Sequence, residues 1–213
     1  FSMDIAVLNI ITWVGASSAL IAAVIACTQT GIKRVLAYST MSQIGYMMFA
    51  LGISGYGGES GLGYTASLFH LFTHAFFKSL LFLGAGAVIH LVHSNSMKDM
   101  GGLRKLMPIT HITFLIACLA IAGIPPFAGF FSKEEILLAA YQSNTAIYAI
   151  ALFTAALTAF YMFRLYFSIF WNKPSEIHAH HGEGTWSMKL PLVILAVFSV
   201  VAGFVPFAKL VTT

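Results

Sequence analysis

The chain has 213 residues, of which 59% are hydrophobic and only 8% charged, against about 25% charged residues in soluble domains. This balance excludes a soluble globular domain, and the formal net charge of +4 is a property of loops that does not point to nucleic acid. Cys27 and Cys118 each sit in an apolar run and no CxxC occurs, which argues against a disulfide framework, an iron–sulfur cluster or the usual structural zinc site.

Charge spacing marks six apolar segments, at about residues 5–27, 35–53, 62–92, 108–141, 145–171 and 190–207. Each is predicted to be helical, because an open sheet edge cannot sit in lipid. The expected fold is therefore all-α and integral to the membrane, with about six transmembrane helices in a single domain over 1–213. The chain opens on Phe1 without a signal peptide, so an internal fragment of a longer protein is expected.

The first segment carries no formal charge. The second opens on Ser39, Thr40, Ser42, Gln43 and Tyr46, a polar start that either supports a water chain or hydrogen-bonds neighbouring helices. The third holds Lys78, with no other formal charge from Ser60 to Met97. At a rise of about 1.5 Å per residue, Lys78 lies more than about 15 Å from at least one interface, too far to snorkel easily. A charge at that depth costs on the order of 3 kcal/mol, and such residues usually face the bundle interior and mark an ion or proton path.

Ser67, His70, His74 and Lys78 are spaced three, four and four apart, which stacks them on one helix face. One buried histidine alone is most simply a satisfied polar group between packed helices. Two histidines in line with a lysine point instead to proton transfer, because histidine changes charge near neutral pH. The spacing of His70 and His74 also suits zinc, but no Glu follows the first His and no carboxylate shares the face, so no metal site is expected.

The fourth segment contains GIPPFAGFFSKEE over 123–135. Pro125-Pro126 cannot continue an ordinary helix, and Ser132-Lys133-Glu134-Glu135 has the pattern of a capping box that starts a new one. Two readings compete: a surface loop between separate spans, or a break near Pro125–Ser132 inside a membrane helix. The loop reading leaves spans of about 17 and 36 residues, a poor match to the roughly 20 required, so length favours the break. Lys133 would then sit in the first turn of the second half-helix, against the positive end of its dipole, with Glu134 and Glu135 favourably placed there.

In the fifth segment Arg164 lies near one end and either snorkels or serves function. His178, His180 and His181 follow in a polar loop, where solvation is the simpler reading than metal binding. Gly84 and Gly86 match no phosphate loop and read as sites of close helix packing. Basic residues alternate between loops: Lys33 and Arg34, then none over 54–61, then Lys98, Arg104 and Lys105, then none over 142–144, then Lys173 and Lys189. The three basic loops should share the cytoplasmic or matrix side.

The blocks IKRVLAYSTMSQIGYMMFALG (32–52), HLFTHAFFKSLLFLGAGAVIH (70–90) and MGGLRKLMPIT…GIPPFAGFFSKEEIL (100–137) resemble the subunit L family of respiratory complex I, the antiporter-like subunits numbered 5 in mitochondria. TAFYMFRLYF and the His-rich loop before WSMKLPLVILAVFSV continue the likeness over essentially the whole chain.

The resemblance implies two inverted five-helix repeats, each with one broken helix. This chain would hold the second repeat as an antiporter-like module at about 5–171 and a following helix at about 187–208. It implies proton translocation within an NADH:quinone oxidoreductase, with His70, His74 and Lys78 on the central path, Lys133 as the outlet lysine and Glu134 as a possible lysine partner. The implied setting is a bacterial inner membrane, or the mitochondrial one, among other membrane subunits of complex I. No cofactor is expected in this chain, and electron transfer would fall to other subunits. Gly31 departs from the family, which usually has Asp there, so a carboxylate role in that loop is in doubt. A cation/proton antiporter subunit, a membrane hydrogenase subunit and a purely structural membrane scaffold stand as alternatives.

Overall fold

A computed structural model describes residues 4–54, 61–172 and 183–207. Among them are seven α-helices: α1 (Ile5–Thr28), α2 (Ile32–Ile53), α3 (Leu62–Val92), α4 (Pro108–Ala122), α5 (Ala128–Ser143), α6 (Thr145–Phe170) and α7 (Trp186–Val201). Short 3-10 turns occupy Met97–Asp99, Leu103–Lys105 and Ala202–Phe204.

The helix ends follow local chemistry. The Asp4 carboxylate accepts from the amide of Ala6 at the start of α1, and Asn144 caps α6 by accepting from the amides of Ala146 and Ile147. Pro108 opens α4, where its missing N–H costs nothing. Gly123 closes α4 at φ 77, a left-handed conformation that suits glycine.

Four helical stretches, Ile5–Thr28, Leu62–Val92, Thr145–Phe170 and Trp186–Phe204, are long and apolar enough to cross a membrane. With 22 residues, α2 is long enough at about 1.5 Å per residue, but Ser39, Ser42 and Gln43 lower its hydropathy and all three are buried. The last helix starts at Trp186, earlier than residue 190. Lys189 interrupts an apolar count without ending a helix, and Pro191 lies inside α7.

The break expected in the fourth segment lies at residues 123–127, between α4 and α5. At 15 and 16 residues, neither helix alone reaches the roughly 20 that a span needs. The capping-box expectation is overturned. The new helix starts at Ala128 behind Phe127, which makes no side-chain cap bond, and Ser132 lies inside α5. Lys133 is accordingly past the first turn. Gly129 lets α5 fold back tightly over α4, since a Cβ there would stand 1.9 Å from the carbonyl oxygen of Ala120.

α1 and α2 form a tight antiparallel pair through small residues such as Ala16, Ala19 and Ala23. α3 is central and packs on α2, α4, α5 and α7, while α6 closes the bundle against α1, α4 and α5.

The amide of Ile32 donates to the carbonyl of Asn95, and that of Met97 to the carbonyl of Thr30. The basic loops at Lys33–Arg34 and Lys98–Lys105 therefore share one end of the bundle. The Arg164 guanidinium donates to the carbonyls of Cys27 and Gln29, so it closes the C-terminal end of α1 at that same end. The Glu183 carboxylate accepts from the amide of Thr110 and brings the start of α7 there too. Residues 55–60 and 173–182, including His178, His180 and His181, lie outside the described residues.

An expected result follows from this arrangement. In the complete protein freed of Cys27 and Cys118, Lys98→Cys and Gln142→Cys should react with a membrane-impermeant thiol reagent from opposite sides of the membrane. Labelling of both from one side would contradict the arrangement.

Candidate functional site

The α3 face read from spacing is buried along its length. Ser67 is 9% exposed, His70 0%, His74 7% and Lys78 5%. Its partners come chiefly from α2. The Nζ of Lys78 donates to Ser39 Oγ at 2.8 Å, and Nε2 of His70 stands 3.0 Å from Gln43 Oε1. Lys133, 3% exposed on α5, has its Nζ 5.3 Å from the centroid of the Tyr46 ring. Ser39, Gln43 and Tyr46 are spaced four and three apart and share one face of α2. That face thus orders Lys78, His70 and Lys133 over about 10 Å of helix axis. His74 lies between Lys78 and His70 on α3, with its ring centroid 6.1 Å from that of His70. The polar start of α2 therefore serves two ends: Ser39 and Gln43 meet the titratable groups, whereas Ser42 donates to the carbonyl of Ala19 and Tyr46 to that of Ala151.

His70 is held on both ring nitrogens. Gln43 Oε1, as oriented, can only accept, so His70 Nε2 carries a hydrogen and donates to it. Its Nδ1 lies 2.9 Å from the hydroxyl of Ser132. A hydroxyl rotates, so Ser132 can donate to a neutral ring or accept from a charged one, and His70 stays bonded in either state. Thr73 Oγ1, 2.8 Å from Ser132 Oγ, extends the chain. The proton that can change on His70 thus faces α5, one residue before Lys133.

The position of Lys133 has its cause in Pro125. A helix carbonyl at Ile121 would accept from the amide four residues on, and proline has none. Nζ of Lys133 fills that place, donating to the Ile121 carbonyl at 2.8 Å. The lysine therefore faces the negative, C-terminal end of α4, and the positive-end placement read from the sequence is reversed. Glu134 points the other way, exposed, and makes no ion pair among the described residues. Its pairing with Lys133 is not formed within this chain. Among the described residues no carboxylate pairs with Lys78 either, and the Phe82 ring lies 5.9 Å from its Nζ to centroid.

Three contributors are not read from the sequence as part of the site, although Ser132 is read there as a helix cap. Tyr161 on α6 donates to Ser39 Oγ at 3.1 Å, so two donors converge on that hydroxyl. Ser132 and Thr73 join His70 to α5. Thr73 lies one residue before His74, and helical spacing from His70 would have found it; Tyr161 and Ser132 meet their partners across long sequence separations and carry no local signal. Nε2 of His74 and Nε2 of Gln43 are buried without a protein partner. Gly84 packs against the Phe114 ring, as close packing requires, whereas a Cβ at Gly86 would meet no neighbouring helix within 4 Å. Among the described residues no three His, Cys, Asp or Glu side chains form a metal-holding group.

The NADH:quinone oxidoreductase/Mrp antiporter transmembrane family matches residues 1–158. The NAD(P)H-quinone oxidoreductase chain 5 of the Picosynechococcus sp. is 48% identical, over 92% of this chain and 33% of its own length. The chloroplastic subunit 5 of Physcomitrium patens is 53% identical over 77% of this chain and 23% of its own. Among solved structures, the archaeal membrane-bound sulfane sulfur reductase, a respiratory membrane complex, has a chain that is 31% identical with a TM-score of 0.86, covering 93% of this chain and 32% of that one. A chain of the Mrp complex from Dietzia sp. shares the fold at a TM-score of 0.82 and 24% identity, over 96% of this chain and 45% of its own. The chain spans about a quarter to a third of the length of the curated relatives it matches. The antiporter-like likeness carried by the three sequence blocks is upheld by these cyanobacterial and chloroplastic relatives. This chain belongs to the NADH:quinone oxidoreductase/Mrp antiporter transmembrane family.

Proposed function

We propose that this chain is part of a proton-translocating subunit of an NAD(P)H:quinone oxidoreductase, seated in an energy-transducing membrane beside other membrane subunits. Residues 5–171 are read as the second of two inverted repeats, with α7 as the helix that follows. The observation that carries the proposal is the order of Lys78, His70 and Lys133 along one face of α2, with His74 between the first two on α3, all buried and none paired with a carboxylate among the described residues. Intramembrane ionisable groups in such a row suit proton transfer better than packing.

The proton moves from Lys78 past His74 to Nδ1 of His70, where the Ser132 hydroxyl can accept it while releasing its own hydrogen to bridging water, and it leaves through Lys133 on the side away from the basic loops. An ammonium at Lys78 has three donors and one hydrogen-bonded protein partner, so it can also hold water. The unmatched Nε2 of His74 is a second place for water to bridge. Moving one charge against 100 mV costs about 2.3 kcal/mol, so the lysines must change proton affinity during turnover rather than merely conduct.

The test uses Ser132→Ala in the complete protein within its assembled complex. Removing the hydroxyl strands Nδ1 of His70, and NAD(P)H-driven proton uptake into vesicles should fall by about tenfold or more. Ser199→Ala serves as control, because that buried hydroxyl donates only to its own helix at Leu195. Equal pumping by the two variants would reject the path through Ser132.

A further inference from the structure

α4 and α7 both begin at the end of the bundle that carries the basic loops, and an open groove of about 520 Å³ runs between them. Seven of its nine lining residues are Ile or Val, among them Ile112, Ile116, Val193 and Val197. Helix–helix seams in lipid are enriched in small residues that let backbones approach. The α1–α2 seam of this chain has that character, with Ala16, Ala19 and Ala23 fully or almost fully buried. The groove has only Thr113 and Ala196 of that kind among its nine lining residues, and Ile112, Val193 and Val197 remain 56%, 41% and 54% exposed. Branched aliphatic side chains left apart in this way make a slot for a flexible chain rather than a seat for a helix.

The mouth of the groove is basic. Lys189, Val193, Ala196 and Val200 are spaced four, three and four apart, so the lysine stands on the groove face of α7 one turn before Val193. Its Nζ lies 5.5 Å from the ring of Trp186, which is 73% exposed. A tryptophan beside a lysine at a helix start marks the headgroup level of a bilayer. Lys105 is exposed in the turn just before α4. The nearby carboxylate of Glu183 is taken up by the amide of Thr110. From Val193 to Val201 the slot runs for about 12 Å along the helix axis, most of the hydrocarbon depth of one leaflet.

We propose that this groove binds one acyl chain of an anionic phospholipid, whose phosphate is met by Lys189 and Lys105. Two basic side chains at the surface favour an anionic headgroup, and the aliphatic slot beneath fixes where the chain descends.

The experiment uses the complete protein in its assembled complex, reconstituted into phosphatidylcholine bilayers. Trace phosphatidylglycerol or phosphatidylcholine is added, each carrying a photoactivatable acyl chain. Cross-links to peptides covering 109–116 and 193–201 should be at least about threefold more abundant with the phosphatidylglycerol probe. Val197→Trp, which fills the slot from a lipid-facing position, should remove them while assembly survives. Lys189→Gln combined with Lys105→Gln should leave labelling but abolish the preference. Equal labelling by the two probes in the wild-type complex would overturn the proposal and leave ordinary surrounding lipid. Failure of both probes to reach these peptides would overturn it as well, because a protein segment then covers the groove.

Discussion

Replacing Lys78 with methionine in the complete protein should remove most NAD(P)H-driven proton translocation while the complex still assembles. Methionine is unbranched and flexible, so it fills the space of the lysine stem without its charge. The site keeps its framework, because Tyr161 still donates to Ser39 and α2 still meets α3 through Gln43 and His70. What is lost is the one ionisable group on the α3 face beyond the histidines. The initial rate of vesicle acidification should fall by about tenfold or more, the lower end of what a positioned proton-transfer group contributes. An assembled Lys78→Met complex that acidifies at the normal rate would leave Lys78 as a packing residue of a structural scaffold.

The second large effect is expected at Lys133. Lys133→Ala strips the Ile121 carbonyl of its donor and removes the last member of the buried lysine–histidine row. Pumping should again fall by about tenfold, whereas Lys105→Ala, an exposed position, should be close to neutral. Lys133→Arg separates charge from proton transfer. A guanidinium can donate to the Ile121 carbonyl and keeps the attraction to the C-terminal end of α4, yet it does not release its proton. Assembly should therefore recover and pumping should not. Recovery of both would show that a fixed positive charge at the break is sufficient.

Much of this was open to a reader of the sequence, and the reasons differ residue by residue. His70, His74 and Lys78 are legible because helical spacing is local and an apolar stretch makes each polar group conspicuous. The break is legible because Pro125 has no amide, and the same argument, carried four residues back, points to the free carbonyl of Ile121. The capping box misleads because a Ser-x-x-Glu pattern is equally compatible with a helix interior when the serine has a tertiary partner. Here Ser132 is drawn to His70, 62 positions away, and the turn at Phe127 starts the helix without a side-chain cap. The sign of the dipole at Lys133 went the same way: once α5 starts at Ala128, the side chain reaches back to α4 instead of facing its own helix end. Tyr161 could not be found from spacing at all, since its meeting with Ser39 depends on how α6 closes the bundle.

The ordered row of Lys78, His74, His70 and Lys133 is tested most directly by the number of protons moved per NAD(P)H oxidised. Wild type, Lys78→Met and Lys105→Ala complexes should be compared in sealed vesicles at matched oxidation rates, so that loss of coupling is distinguished from slow electron transfer. The proton path predicts a lower ratio in Lys78→Met and an unchanged ratio in Lys105→Ala. The same ratio in all three assembled complexes would contradict it.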